Sequence, residues 1–207
     1  MVCGLGHPDY SILIKVKKFR IEELQTTNYK LQTTNYKLLM SVIFETERLR
    51  VRRFTPFDYE HYFSLQGNPE VMQYIRPPRT REESDLFLSE KILGAATDDY
   101  KGYWAIEMKD SGLFVGCFVI IPLPDDAEKT QMGYSYLPDY WGKGFASEVA
   151  KEGVRYFYER TPLSEIYGVT EKENTASQKV LLNAGFQFHG TKMEGEKELL
   201  VFILNRD

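Results

Sequence analysis

The chain has 207 residues, of which 43% are hydrophobic and 14% aromatic, enough for a packed core, so global disorder is excluded. The net charge is −4, but residues 1–40 carry +3 and the remainder therefore −7. An acidic globular part argues against a nucleic-acid surface and favours a cationic partner such as an amine. No apolar run reaches the roughly 18 residues that span a bilayer, and no signal-peptide pattern is present, so we expect no membrane partner.

The cysteines and histidines do not form a recognisable site. Cys3 and Cys117 are far apart without CxxC spacing, and the three histidines are scattered. We therefore expect no disulfide framework and no metal, and a reducing cytoplasmic location. Cys117 lies in an apolar run, which favours a buried thiol.

The first 43 residues differ from the rest of the chain. Residues 25–31, QTTNYKL, are copied at once as residues 32–38, with too few apolar positions for a coiled coil. We interpret residues 1–43 as a poorly ordered extension, and residues 44–207 as the folded domain. Met40 lies just before that domain, so a second interpretation is that the upstream segment reflects the choice of start site.

Local patterns predict the first elements of the domain. Alternation of apolar and basic residues predicts a strand at 48–54. Thr55 as N-cap and Pro56 as first helical residue predict a helix to about residue 66, followed by a short helical turn. Thr80 and Glu83 form the pattern of a capping box at the start of a further helix.

The remaining elements are mostly strands. A hairpin signal, DSG at 110–112, joins two of them. Strands are predicted at 102–108, 113–121, 130–137, 166–170, 186–193 and 198–205, and helices at 146–158 and 174–183, with Gly185 as a left-handed C-cap. The order β-α-α-β-β-β-α-β-α-β-β indicates an α/β fold with a mixed sheet.

The segment from 133 to 148 carries the clearest chemical signal. It reads as a strand, a loop containing Gly142 and Gly144, and the N-terminus of a helix. Glycines allow a ligand to approach the backbone, and free amides with the helix dipole favour an anion. Ser147 stands where a GxGxxG motif needs its third glycine, and no Walker signature is present, so nucleotide binding lacks support.

Three blocks resemble the GNAT N-acetyltransferases. WGKGFA at 141–146 is similar to their pyrophosphate loop, Gln/Arg-x-x-Gly-x-Gly/Ala, except that Trp141 replaces the Gln or Arg. ETERLRVR at 45–52, and ENTAS at 173–177 with LLNAGF at 181–186, resemble the ribosomal-protein N-terminal acetyltransferase-like branch. The blocks cover nearly all of the chain after Phe44. The resemblance implies a GNAT-type twisted sheet, mostly antiparallel and flanked by helices.

The resemblance also implies roles for individual residues. The loop would bind the pyrophosphate of coenzyme A through Gly142, Lys143, Gly144, Phe145, Ala146 and Ser147. Main chain of Tyr136 and Leu137 would pair with the pantetheine arm, and an N–H there would polarise the thioester carbonyl. Asn174 would hydrogen-bond the pantetheine, and Ser177 would protonate the leaving thiolate.

The base is a carboxylate of the last hairpin in this branch, and Glu196 matches best, with Glu194 beside it. Two residues depart from the family pattern. Gln131 replaces a strand glutamate and Leu181 replaces a catalytic tyrosine. Without the resemblance, Asn174 and Ser177 read as helix caps, and both glutamates read as solvated turn residues.

The resemblance therefore implies an acetyl-CoA-dependent N-acetyltransferase. Its acceptor would be a primary amine, on a protein N-terminus or a small molecule, which attacks the thioester directly in a ternary complex without a metal. We expect a monomer or homodimer. The alternative is a fold that binds acyl-CoA without chemistry, as a sensor or interaction module, and the departures at Gln131 and Leu181 motivate it.

Overall fold

The computed structural model describes residues 41–95 and 100–206. Residues 1–40 lie outside the described part of the chain, so the poor order of this extension stays a prediction. The strands are β1 Val42–Glu45, β2 Leu49–Arg53, β3 Gly102–Met108, β4 Phe114–Leu123, β5 Asp126–Tyr136, β6 Glu165–Glu171, β7 Gln187–Glu194 and β8 Lys197–Asn205. The helices are α1 Tyr59–Gln66, α2 Pro69–Met72, α3 Arg81–Phe87, α4 Phe145–Arg160 and α5 Thr175–Asn183.

Within the described residues, eight strands form one sheet in the order β1-β2-β3-β4-β5-β6-β8-β7. Neighbouring strands are antiparallel except β5 and β6, which are parallel. The mixed, mostly antiparallel sheet flanked by helices is confirmed. The predicted order was wrong by one strand at its start, because the chain turns at Thr46, whose N–H donates to the Leu49 carbonyl and whose hydroxyl accepts from the Leu49 N–H.

Strand alternation divides the core between the two faces of the sheet. One face packs on α4 and α5 through residues such as Phe118, Met132 and Phe157. The other face packs under α1, α2 and α3 through residues such as Tyr62 and Cys117. Cys117 is buried as expected, and burial raises the pKa of its thiol to about 12.

A buried ion cluster fixes α1 to the sheet. The Arg52 guanidinium donates two hydrogen bonds of 2.9 Å to Asp58 and one of 2.7 Å to Glu107. Asp58 also accepts from the N–H and hydroxyl of Thr55, which closes a turn from 55 to 58. The helix therefore begins at Tyr59, and the prediction that Thr55 caps it with Pro56 as first helical residue was wrong.

Helix α3 begins where the sequence predicted, after Thr80. The Thr80 hydroxyl accepts from the Glu83 N–H, and the Glu83 carboxylate accepts from the Thr80 N–H, which completes the capping box. The helix continues into a π-helical segment, Leu88–Leu93, whose first residue is fully buried. None of the helices in residues 41–95 and 100–206 has the length and apolarity to cross a membrane.

Candidate active site

The parallel strands β5 and β6 separate and leave a wedge. Gln131 and Tyr167 are the one residue pair that joins them in the described part of the chain. Beyond this pair β5 continues to Tyr136 paired with β4, and β6 continues to Glu171 paired with β8. The edge of β5 that faces β6 is therefore open after Gln131, and an extended ligand has room to pair with it.

Main-chain hydrogen bonds show which groups face the wedge. The N–H of Leu137 donates to the Val115 carbonyl on β4, and its carbonyl accepts from the Tyr140 N–H, so Leu137 has no free N–H for the pairing with pantetheine that the resemblance implied. Because successive residues of a strand point their N–H groups to opposite sides, those of Tyr134 and Tyr136 face the wedge. The Tyr136 carbonyl there accepts a 2.7 Å bond from the indole of Trp141.

The loop after this strand presents unused amides. Gly142 and Gly144 have φ of +71° and +80°, the left-handed region that favours glycine. Helix α4 begins at Phe145 without a side-chain cap. Across residues 142–147, no N–H donates a hydrogen bond to any residue in the described part of the chain. These free donors at the positive end of a 16-residue helix form a site for an anion.

A carboxylate in the first turn of α4 braces this loop. Glu148 accepts hydrogen bonds from the Thr46 hydroxyl and from the N–H and guanidinium of Arg48. Burial raises the pKa of Glu148, but these hydrogen bonds outweigh it and hold the pKa below its ordinary value. Arg48 also bonds the Lys143 carbonyl at 3.1 Å and covers the Phe145 ring. The ETERL block therefore has a physical role, holding the loop, that sequence reasoning missed.

Two hydroxyl groups meet across the wedge. The Tyr134 hydroxyl lies 3.3 Å from both the hydroxyl and the carbonyl oxygen of Ser177. Burial raises the pKa of Tyr134 to about 12, so the phenol is protonated at neutral pH. The Asn174 side chain accepts from the Ser177 N–H at 3.1 Å and caps α5. This contact has no signal in the sequence, because Tyr134 alternates with Met132 and Tyr136 as any residue of a strand does.

The two departures from the family pattern are accommodated differently. Leu181 is 2% exposed and packs over Gly168, where a Cβ would lie 2.4 Å from the Leu181 side chain. This position is therefore part of the core. Gln131 lies at the point where the strands separate, and its amide donates a long 3.4 Å bond to the Pro122 carbonyl.

The candidate bases lie on an exposed turn. Glu194 ends β7 and Glu196 precedes β8, and both carboxylates are exposed. Neither forms an ion pair within the described residues, and no hydrogen bond joins them to Ser177. The adjacent Lys197 pairs with Glu171 at the end of β6. Residues 41–95 and 100–206 contain no group of three or more His, Cys, Asp or Glu side chains suited to a metal.

The open edge of β5 and the free amides at the start of α4 can together accommodate an extended ligand that carries an anionic group. The family profile described as acetyltransferase (GNAT) domain matches residues 48–187. The chain belongs to this family, and it is an acetyltransferase that depends on acetyl-CoA.

One relative by sequence and two solved structures with the same fold illustrate the similarity. The chain is 32% identical over 152 residues to the uncharacterized N-acetyltransferase YoaA of Bacillus subtilis, across 73% of this chain and 86% of that protein. A GNAT-family acetyltransferase from Bacillus anthracis superposes with a TM-score of 0.68 at 24% identity, over 80% of this chain and 98% of that one. Spermidine N-acetyltransferase from Vibrio cholerae, solved with CoA and spermine, superposes with a TM-score of 0.62 at 18% identity, over 76% of this chain and 95% of that one.

Proposed function

We propose that the chain transfers an acetyl group from acetyl-CoA to a primary amine, on a protein N-terminus or a small molecule, by direct attack in a ternary complex. We also place it in the ribosomal-protein N-terminal acetyltransferase-like branch. The observation that carries the proposal is the run of unbonded amides at 142–147 beside the open edge of β5. It gives one continuous path for a diphosphate and its thioester arm.

In this proposal the main chain holds the donor. The pyrophosphate lies against the amides of Gly142, Lys143, Gly144, Phe145, Ala146 and Ser147. The pantetheine arm lies in the wedge, where the N–H of Tyr136 pairs with it as a neighbouring strand would. The thioester carbonyl accepts from an N–H of this edge, which stabilises the developing oxyanion. The Asn174 amide nitrogen remains available to the arm, because the cap uses the oxygen.

The chemical step needs one proton removed and one delivered. The amine nitrogen forms a bond to the thioester carbonyl carbon, the carbon–sulfur bond breaks, and the electron pair leaves on sulfur. We assign the proton donor for sulfur to Ser177, supported by the contact of its hydroxyl with the protonated Tyr134 phenol. We assign the removal of the amine proton to Glu196, with Glu194 as the neighbouring candidate.

We further propose a cytoplasmic enzyme, monomeric or homodimeric, with no nucleic-acid or membrane partner. The charge of −7 outside residues 1–40 supports the absence of a nucleic-acid partner, because a nucleic-acid surface needs clustered positive charge. It also supports an amine as acceptor, since a cationic acceptor is attracted to an acidic protein.

Thiol release from acetyl-CoA, measured with a panel of amines, tests the proposal together with calorimetry of CoA binding. We expect Ser177→Ala and Tyr134→Phe to lower kcat more than tenfold while the Kd for CoA changes less than threefold. Ser64→Ala is the matched control, because that hydroxyl bonds the His61 carbonyl on α1. Equal losses of kcat and affinity would assign Ser177 to binding, and CoA binding without thiol release for any amine would support the sensor alternative.

Two further variants separate the candidate bases. Glu196→Gln should lower kcat at neutral pH and recover part of it as the pH rises and more of the amine is neutral. Glu194→Gln should leave the pH profile unchanged. The reverse result would exchange the two roles, and no effect from either would assign proton removal to water.

A further inference from the structure

A groove on the α1–α3 side of the molecule is lined by two arginines, Arg76 and Arg79. It has a volume of about 460 Å³ and lies between the segment 76–79 and α3. Within the described residues, neither Arg76 nor Arg79 forms an ion pair. The one side-chain hydrogen bond of Arg76 goes to the Pro77 carbonyl, at 3.2 Å. The carboxylates that line the groove are Glu83 and Glu90, and Glu83 is held by the Thr80 N–H.

The two guanidinium groups are kept in an unfavourable setting. Burial lowers the pKa of Arg76, and the positive charge of Arg79 lowers it further. The Arg79 guanidinium lies 3.7 Å from the centre of the Phe87 ring, and its Nη1 is buried without a hydrogen-bond partner in the described residues. A buried unpaired donor destabilises the protein unless a ligand satisfies it. An anion would relieve both the repulsion and the missing bond.

The sheet connects this groove with the wedge. Phe87 contacts Tyr103 edge to face at 5.5 Å between ring centres. Tyr103 pairs with Val119, and Val119 pairs with Gly133 on β5. Residues paired across antiparallel strands share a face, so these three form a row leading to the strand edge. Two strand spacings of roughly 4.8 Å each place Tyr103 roughly 10 Å from Gly133.

We propose that Arg76 and Arg79 bind an anionic group of the acceptor, a carboxylate or a phosphate, at the far end of this row, beyond Tyr103 as seen from β5. The inference rests on the proposed function, because it takes the thioester to lie beside β5. The acceptor then carries both an amine and an anion. The amine suits the acidic protein, and the anion suits the two arginines, which form no ion pair within the described residues. An extended peptide covers the roughly 10 Å between Gly133 and Tyr103 with about three residues, so an acceptor that reaches the arginines needs at least that length.

The acceptor length and charge can be tested together. The probes are glycine peptides of two to five residues with a free C-terminal carboxylate, and the same peptides as C-terminal amides. We expect kcat/KM to be highest for peptides of three residues or more, and at those lengths to be at least tenfold higher for the acid than for the amide. Gly-Gly-phosphoserine amide against Gly-Gly-Ser amide separates a phosphate from a carboxylate. An acid-to-amide ratio near one at every length, with no gain from the phosphate, would overturn the proposal.

Arginine variants locate the effect. Arg79→Gln should lower kcat/KM for the peptide acid to the value for the peptide amide. It should leave kcat/KM for the amide within threefold of the wild-type value. Arg81→Gln is the matched control, because Arg81 is ion-paired with Glu60 and Asp85 and does not line the groove. Its acid-to-amide ratio should stay unchanged. A ratio that survives Arg79→Gln would overturn the proposal.

A binding experiment separates this proposal from the proposed function. Calorimetry of N-acetyltriglycine and its amide against the CoA complex needs no turnover. Tenfold tighter binding of the acid in the wild type, lost in Arg79→Gln, supports the anion site even where no amine is acetylated. Equal binding of the two, or none, overturns it, whereas acetylation of neutral amines would leave the transferase function intact.

Discussion

The loop at 142–147 and the groove at 76–91 bind their proposed ligands with different parts of the chain. The loop offers main-chain amides, so its sequence must supply glycines at the two left-handed positions. The groove offers side chains on helices and a proline-rich segment, where many sequences give the same backbone. Recognition by main chain therefore leaves a readable motif, while recognition by side chains does not. This difference explains why the donor is readable from the sequence and the acceptor is not.

The largest effect should come from Gly144→Asp. Its φ of +80° strains any L-residue by about 1–2 kcal/mol, and the new carboxylate would face the pyrophosphate. A Cβ would meet only Arg48 Nη2, at 3.6 Å, so steric overlap is not the cause. We expect the Kd for CoA to rise about 100-fold, which corresponds to about 2.7 kcal/mol.

Gly112→Asp provides the control for this variant. Gly112 has φ of +68° in the β3–β4 turn and nothing within 4 Å of its Cβ position. It should lose similar stability without loss of CoA affinity. If calorimetry gave the wild-type Kd for Gly144→Asp, the cofactor would have to be placed elsewhere.

Glu148→Gln tests whether the brace holds the loop. We expect a loss of about 1–2 kcal/mol in the free energy of unfolding at pH 7, because a carboxylate that accepts several hydrogen bonds is lost. The pKa of Glu148 is lowered in the folded protein, so its stabilisation is complete above the unfolded pKa and is lost as the pH falls through the folded pKa.

The difference from wild type in urea unfolding should therefore shrink below about pH 4. Glu159→Gln, on the exposed side of the same helix, should change the unfolding free energy by less than about 0.5 kcal/mol. A difference for Glu148→Gln that is constant from pH 7 to pH 3 would mean that the carboxylate charge does not contribute.

Thr80→Ala tests the start of α3, the helix that lines the groove proposed for the acceptor. Loss of the capping box should cost about 1 kcal/mol in urea unfolding. Because the Glu83 N–H would then lose its partner at the start of α3, beside the groove, kcat/KM for an anionic acceptor should fall more than the affinity for CoA. Thr191→Ala, at an exposed position of β7, is the control. Equal changes in kcat/KM for the acceptor and in the affinity for CoA would show that the groove and the loop at 142–147 do not act independently.

The smallest effect is expected for Lys143→Ala. The side chain is exposed, and its ammonium lies 5.3 Å from the centre of the Tyr140 ring. If the main chain binds the pyrophosphate, the Kd for CoA should change less than threefold. A loss above tenfold would assign the ammonium to a phosphate and weaken the distinction between main-chain and side-chain recognition.

Much of the fold was predictable because local rules decided it. Alternation located the strands, and Thr80 with Glu83 and the left-handed Gly185 marked helix ends correctly. The start of α1 was not predictable, because Asp58 is held by Arg52 from β2, a contact that no local pattern reports. The strands predicted at 113–121 and 130–137 are longer than expected and meet in a tight turn, since β4 and β5 stay paired up to Leu123 and Asp126.

The candidate site divides in the same way. The loop geometry followed from its glycines, and the Asn174 cap from a common helix-start pattern. The contact between Tyr134 and Ser177 joins residues 43 positions apart, and the link from Arg48 to Glu148 joins residues 100 apart. Such contacts depend on how the elements pack, so sequence reasoning from one chain does not reach them.

The single pairing of Gln131 with Tyr167 divides the sheet into a five-stranded and a three-stranded half. A pantetheine arm along β5 would serve both halves as a partial additional strand and stiffen the junction between them. The order of substrate addition follows from this. In the proposed reaction the acceptor attacks across that junction, so it should find a fixed geometry only once the donor is in place, and product CoA should be the last to leave.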